Sequence, residues 1–302
     1  MRAQLALSAC AAPWLPIDEL APLAVAAGFH ALDLTCAPVR FDPARAPGFW
    51  DNNAAVIDLT RLDVLIPHLA RTLREWNLAC SAIALPAGSE RALPPGALPL
   101  ARALRCFLIR IPAPRPEPPH LGEQWRALRA AWRELAAFGA GEGLRFLIET
   151  RDGTLVAAPS AALRLLEDLD PRAVGIAYDI ASTAREGHEA PAVAVPLMGG
   201  YLAHVIVRDV WLRSGGAGWT GLASGYAPLG QGALRWPMLL TVLANAPYTG
   251  WLALENCTGL DLGPARIARD AAWIQGVLAE LRTASAERPL SDPSPARRLP
   301  GA

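Results

Sequence analysis

The chain has 302 residues, of which 52% are hydrophobic and 19% charged, a composition that supports a sizeable core and excludes a disordered protein. Acidic and basic residues number 28 each, so no charge excess points to nucleic acid or to an anionic membrane. Every basic residue is arginine, which removes lysine Schiff-base chemistry and P-loop nucleotide hydrolysis.

Short apolar segments alternate with longer amphipathic ones. The strand candidates, in chain order, are QLALSAC (4–10), ALDLTC (31–36), ACSAIALP (79–86), RCFLIRIP (105–112), RFLIET (145–150), AVGIAYDIA (173–181), LAHVIVRDV (202–210) and GWLALENC (250–257). Helical patterns follow most of them, among them IDELAPLAVAAGF, LDVLIPHLARTLREW, EQWRALRAAWRELAAFGA, SAALRLLEDL, RWPMLLTVLANA and GPARIARDAAWIQGVLAELR. Pro- and Gly-rich stretches lie at 87–103 and 112–120, and a Gly-rich segment at 211–226 reads as a long loop. Alternation of this kind implies parallel strands joined by right-handed crossovers. Eight such units predict one α/β domain over 1–284, a single (β/α)8 TIM barrel. An open doubly wound sheet is the other reading, but no G-x-G-x-x-G follows the first strand. Residues 285–302, rich in Pro, Ser and Arg, are expected to form a disordered tail.

The five cysteines form no C-x-x-C pair, and the opening MRAQLALSACAAPWLP is interrupted by Pro13 and Pro16. A reduced, cytoplasmic protein is the expectation. No apolar run reaches the roughly 20 residues that span a bilayer.

A closed barrel carries its active site at the C-terminal ends of its strands. Glu149, Asp179, Asp209 and Glu255 fall at the ends of strands five to eight. Singly, each acid reads best as an ion-pair partner or a helix cap. Together, Glu149, Asp179 and Glu255 would repel one another at one mouth, and a divalent cation would relieve that repulsion.

The stretches FLIET, VGIAYDIAS, HVIVRDV, APLGQGALRW and YTGWLALEN, over about residues 144–257, resemble the xylose-isomerase-like TIM-barrel superfamily of sugar (phosphate) isomerases and epimerases, which also contains endonuclease IV. PLAVAAGFHALDL matches more loosely. The resemblance implies one divalent metal, Mn²⁺ or Mg²⁺, held by Glu, Asp, His and Glu. Carried over singly, these fall on Glu149, Asp179, Ile206 and Glu255, so the histidine is absent. A second histidine of the pattern falls on Ser182, and the residues after Glu149 are Thr150 and Arg151. His204 lies two residues before Ile206, some ~6.6 Å deeper along the strand, and reads as a hydrogen-bonded core histidine. His188, on the loop after strand six, could reach the site or lie on the surface.

Arg208 is expected to point inward, where it could bind a substrate anion, stand in for the metal, or pair with a strand-end acid. Arg110 is a second candidate for anion binding. Trp211 and Trp219 sit in the Gly-rich segment after strand seven and could cover the site. Cys10, Cys36 and Cys257 read as small buried residues in preference to a thiolate site. The resemblance implies a small-molecule substrate and proton transfer next to a carbonyl, with Glu149 and Glu255 as the acid/base pair; the neutral charge balance leads us to expect no nucleic-acid or membrane partner. A homo-oligomer is compatible with it. A dehydratase of the 3-dehydroshikimate type and a metal-free, non-catalytic ligand-binding barrel are the alternatives. A nuclease needs more than five scattered histidines.

Overall fold

The computed structural model describes residues 4–38, 41–49, 51–216 and 221–286. Eight parallel strands, β1 (Gln4–Ser8), β2 (Ala31–Ala37), β3 (Ala79–Ala84), β4 (Leu108–Pro112), β5 (Arg145–Glu149), β6 (Val174–Asp179), β7 (Leu202–Val207) and β8 (Trp251–Leu254), pair in sequence order. β1 bonds both β8 and β2, which closes the sheet into a barrel. The outer ring is α1 (Ile17–Ala26), α2 (Leu62–Glu75), α3 (Ala97–Leu104), α4 (Leu121–Glu142), α5 (Pro159–Leu166), α6 (Pro191–Met198), α7 (Trp236–Asn245) and α8 (Ala265–Ala286). No helix among the described residues is long and apolar enough to cross a membrane.

Strand alternation divides the core into two chemistries. Leu32, Leu34, Ile109, Ile111, Phe146, Ile148, Val205, Val207, Leu252 and Leu254 are buried in one continuous apolar cluster with the helices. The alternate positions face the barrel axis and are mostly small or polar, Leu147 and Ile206 being the large apolar exceptions. Ala6, Ala31 and Ala253 form one separate patch, and Leu147, Ala177 and Ala203 another. Asp33, Arg110, Glu149, Asp179, His204 and Arg208 occupy the same parity and are buried. The barrel is therefore filled toward its C-terminal end by ionic groups.

The helices present apolar faces at helical spacing. In α4, Leu128, Trp132, Leu135 and Ala136 are buried, and Gly143 ends the helix at φ +68° with its N–H donated to Gly139 O, a left-handed cap that glycine adopts without steric cost.

Three features depart from the sequence reading. α3 begins inside the Pro/Gly-rich stretch 87–103 and ends one residue past it; Pro99 occupies its first turn, where a missing N–H costs no helical bond. The seventh strand ends at Val207, and Asp209–Ser214 pairs antiparallel with Leu222–Ala227 in a hairpin. The described residues of the segment read as a loop are thus largely sheet. α8 continues to Ala286, and the rest of the expected tail, like Trp219, lies outside the described residues.

Candidate active site

The C-terminal ends of β4, β5, β6, β7 and β8, with Asp33 from the middle of β2, bring four carboxylates and two guanidinium groups together. Arg110, from β4, donates from Nη2 to Asp33 at 2.8 Å and to Glu255 at 3.2 Å, and its Nη1 lies 3.3 Å from Glu149. Arg208 follows β7 directly. Its Nη2 lies 2.6 Å from Asp179, 2.8 Å from Glu255 and 3.9 Å from Glu149. His204 Nε2 is 2.9 Å from Asp33, as expected of a core histidine with a polar partner. Ile206 stands level with Asp179 on one side and Ala253 on the other.

Electrostatics follow from this packing. Burial works against the charge of Asp33 and of Glu255, but the adjacent arginines outweigh it, and His204 and Ser81 assist at Asp33; both carboxyls are held below their usual range. Asp179 moves the other way. Its complete burial, with Glu149 nearby, outweighs Arg208 and Ser182 and raises it. Arg110 and Arg208 are also buried, yet their carboxylate neighbours raise both and keep them charged.

A cavity of about 370 Å³ opens above this cluster, its lining including Cys10, Thr35, Arg110, Glu149, Arg151 and Glu255. Glu149, Glu255 and Arg110 are thus brought to one cavity. Asp179 and Arg208 are not among its lining residues. Over them lies the hairpin, whose Tyr226 hydroxyl accepts from Arg208 Nη1 at 3.3 Å. The Tyr226 ring is flanked by Arg185 at 4.8 Å and Arg208 at 5.1 Å, and Arg185 is ion-paired with Asp152 at 2.6 Å. Ser182, at the second missing histidine, lies 2.7 Å from Asp179 and 2.9 Å from Asp152. Asp179 also accepts from Ser182 N, so it caps the turn after β6 as well as pairing with arginine.

Other candidates fall elsewhere. Trp211 lies in the hairpin, its ring beside Gly225 and 5.1 Å from the Arg213 guanidinium. His188 is exposed at φ +52°. Neither lines the cavity. Asp209, read as a fourth acid at the mouth, instead accepts backbone N–H bonds from Val210, Gly230, Gly232 and Leu234. It organises the PLGQGALRW loop, and a Cβ on Gly232 would collide with its carboxylate. Cys10 and Cys36 are buried and Cys257 half-buried; burial pushes the thiols up, Cys10 to about 12 and Cys257 to about 11, which suppresses thiolate chemistry.

Two residues in contact with this cluster escaped the sequence reading. Asp33 sits mid-strand in ALDLTC, where an acid flanked by buried leucines was the available signal. Tyr226 belongs to the unread hairpin. A larger cavity of about 670 Å³, lined by Arg145, Leu202 and Tyr248 among others, lies at the opposite, N-terminal end of the strands, away from the acids.

The family profile described as xylose isomerase-like TIM barrel matches residues 23–277. The chain belongs to that family. Solved structures agree in fold. An L-ribulose 3-epimerase is 15% identical at a TM-score of 0.66, covering 96% of this chain and 100% of that one. A xylose isomerase-like TIM-barrel protein from Mycobacterium smegmatis, in complex with magnesium, is 16% identical at 0.64, covering 92% and 97%. A probable 3-DHS dehydratase from Bacillus anthracis is 14% identical at 0.65, covering 90% and 98%. At these identities the likeness is one of fold. None of the curated proteins matches the chain in sequence.

The donor set here does not fit a divalent metal. All three candidate ligands are engaged by arginine, Ile206 offers no donor, and among the described residues no group of three or more His, Cys, Asp or Glu side chains is placed to hold an ion.

Proposed function

We propose that this barrel binds a small polyhydroxylated carbonyl compound in the cavity at its C-terminal mouth and moves a proton at the carbon next to the carbonyl, as an isomerase or epimerase. The observation that carries this reading is the placement of Glu149 and Glu255 in one cavity with a guanidinium, Arg110, between them. Glu255 is held ionised and accepts the proton; Glu149 faces the same space and delivers to the enolate a proton taken up from solvent, and loss of the first proton from Glu255 to solvent completes the cycle. A carboxyl held low is a weak base, so the C–H bond must be acidified. Arg110, itself 2% exposed, supplies a fixed positive charge where an enolate oxygen develops. The same proton abstraction with loss of a β-hydroxyl is a dehydration, and one structural neighbour is a probable 3-DHS dehydratase.

The ion pairs that hold both glutamates also support a second reading, a ligand-binding barrel without turnover. Proton exchange separates the two. The protein is incubated in D₂O with a panel of ketoses, keto-inositols and hydroxy-keto acids, and deuterium entry next to the carbonyl is followed by NMR. Exchange that Glu149→Gln and Glu255→Gln abolish supports the enzyme. Saturable binding of a panel member without exchange supports the binding barrel. Neither exchange nor binding across the panel refutes both.

A further inference from the structure

We infer that the Arg208 guanidinium has taken the place of the metal ion, so that this barrel carries a permanent, built-in cation and binds no divalent metal at its mouth. A single nitrogen, Nη2, lies among Asp179 at 2.6 Å, Glu255 at 2.8 Å and Glu149 at 3.9 Å. One positive centre ringed by three carboxylates from β5, β6 and the end of β8 is the arrangement a cation would adopt there. Arginine is suited to that position, since its charge is not lost by deprotonation.

The surroundings agree with a fixed group. Arg208 is 1% exposed, and Tyr226 roofs it by hydroxyl contact and ring. Substrate oxygens in the cavity therefore meet Arg110 while Arg208 lies under the hairpin. Ile206 fits this exchange. It is fully buried, level with Asp179 and Ala253, and adds apolar volume where a donor would compete for the ring of acids. Ser182 does the same work at Asp179 by hydrogen bonding without charge. Arg208 is thus a positioning residue: it holds Asp179 and Glu255 in place without a dissociable ion.

The test reads metal binding and not turnover, so its failure is distinguishable from failure of the proposed reaction. Protein dialysed against chelator is titrated with Mn²⁺ and the free ion followed by electron paramagnetic resonance. Wild type is expected to leave the free-ion signal undiminished up to about 1 mM Mn²⁺, with no rise in Tm. The double variant Ile206→His/Arg208→Ala restores a donor and vacates the centre. It is expected to bind one Mn²⁺ at least about tenfold more tightly than wild type and to gain Tm with added Mn²⁺. Arg208→Lys keeps the charge and is expected to stay blind to Mn²⁺. Uptake of one Mn²⁺ by wild type, lost in Glu255→Gln, overturns the inference. So does a double variant that folds by circular dichroism yet binds Mn²⁺ no better than wild type. Should the double variant not fold, the wild-type titration decides alone.

Discussion

Replacing Arg110 with methionine removes a cation from the centre of the buried cluster while keeping most of its volume. Asp33 at 2.8 Å, Glu255 at 3.2 Å and Glu149 at 3.3 Å then lose their common partner. An unpaired carboxylate buried in this cluster takes up a proton rather than remaining charged. For a group with an ordinary pKa near 4, that uptake costs about 4 kcal/mol at pH 7 and about 1.4 kcal/mol at pH 5. The first figure agrees with the ~3–5 kcal/mol typical of breaking a buried pair. Wild type behaves differently. Asp33 and Glu255 are held below their usual range, so their contribution is complete above pH ~4 and is lost only as the pH falls further. Between pH 7 and 5 wild type is flat in these groups. The variant gains stability as the pH falls, because its folded state binds the extra proton. The gap between the two is therefore expected to shrink from about 4 to about 1–2 kcal/mol from pH 7 to pH 5, read from denaturant unfolding at each pH. A gap that stays constant over that range, or one below about 1 kcal/mol at pH 7, refutes the ion cluster as described.

Asp209→Ala removes the acceptor of four backbone N–H bonds; with water recovering part of each, a loss of about 3 kcal/mol is expected, together with faster amide exchange at Gly230–Leu234. An unchanged Tm would count against the cap. Tyr226→Leu removes a ring flanked by two guanidinia, worth about 1–2 kcal/mol, and is expected to raise exchange in the hairpin strands Asp209–Ser214 and Leu222–Ala227 before any other element. Uniform exchange across the barrel would show that the ring does not latch the hairpin. With its thiol raised to about 12, Cys10 is expected to resist iodoacetamide in the folded protein at pH 8 and to react once urea unfolds the chain. Rapid labelling of native Cys10 contradicts its burial.

What could be read from the sequence depended on the range of the interaction. The eight strands were legible because outward Leu, Ile and Val at alternate positions state the period locally, and the family match over residues 23–277 agrees with that reading. Glu149 and Glu255 were legible as strand-end acids, and both line the cavity. Asp33 was not, because its purpose depends on Arg110, 77 positions away, and on His204 from the far side of the barrel. Asp209 was misread for the opposite reason: an acid at a strand end signals the mouth, yet one residue after Arg208 the parity reverses and its carboxylate turns to the glycine loop. That single-residue alternation separates a group in the ionic cluster from a structural cap. It also explains why Arg208 stayed ambiguous. Its parity aimed it inward, but the choice among substrate anion, metal site and neighbouring acid turned on which carboxylates the closed barrel would crowd around one nitrogen. Local pattern fixes direction, whereas the partner is set by ring closure, and closure brings Asp179 and Glu255 to the same guanidinium.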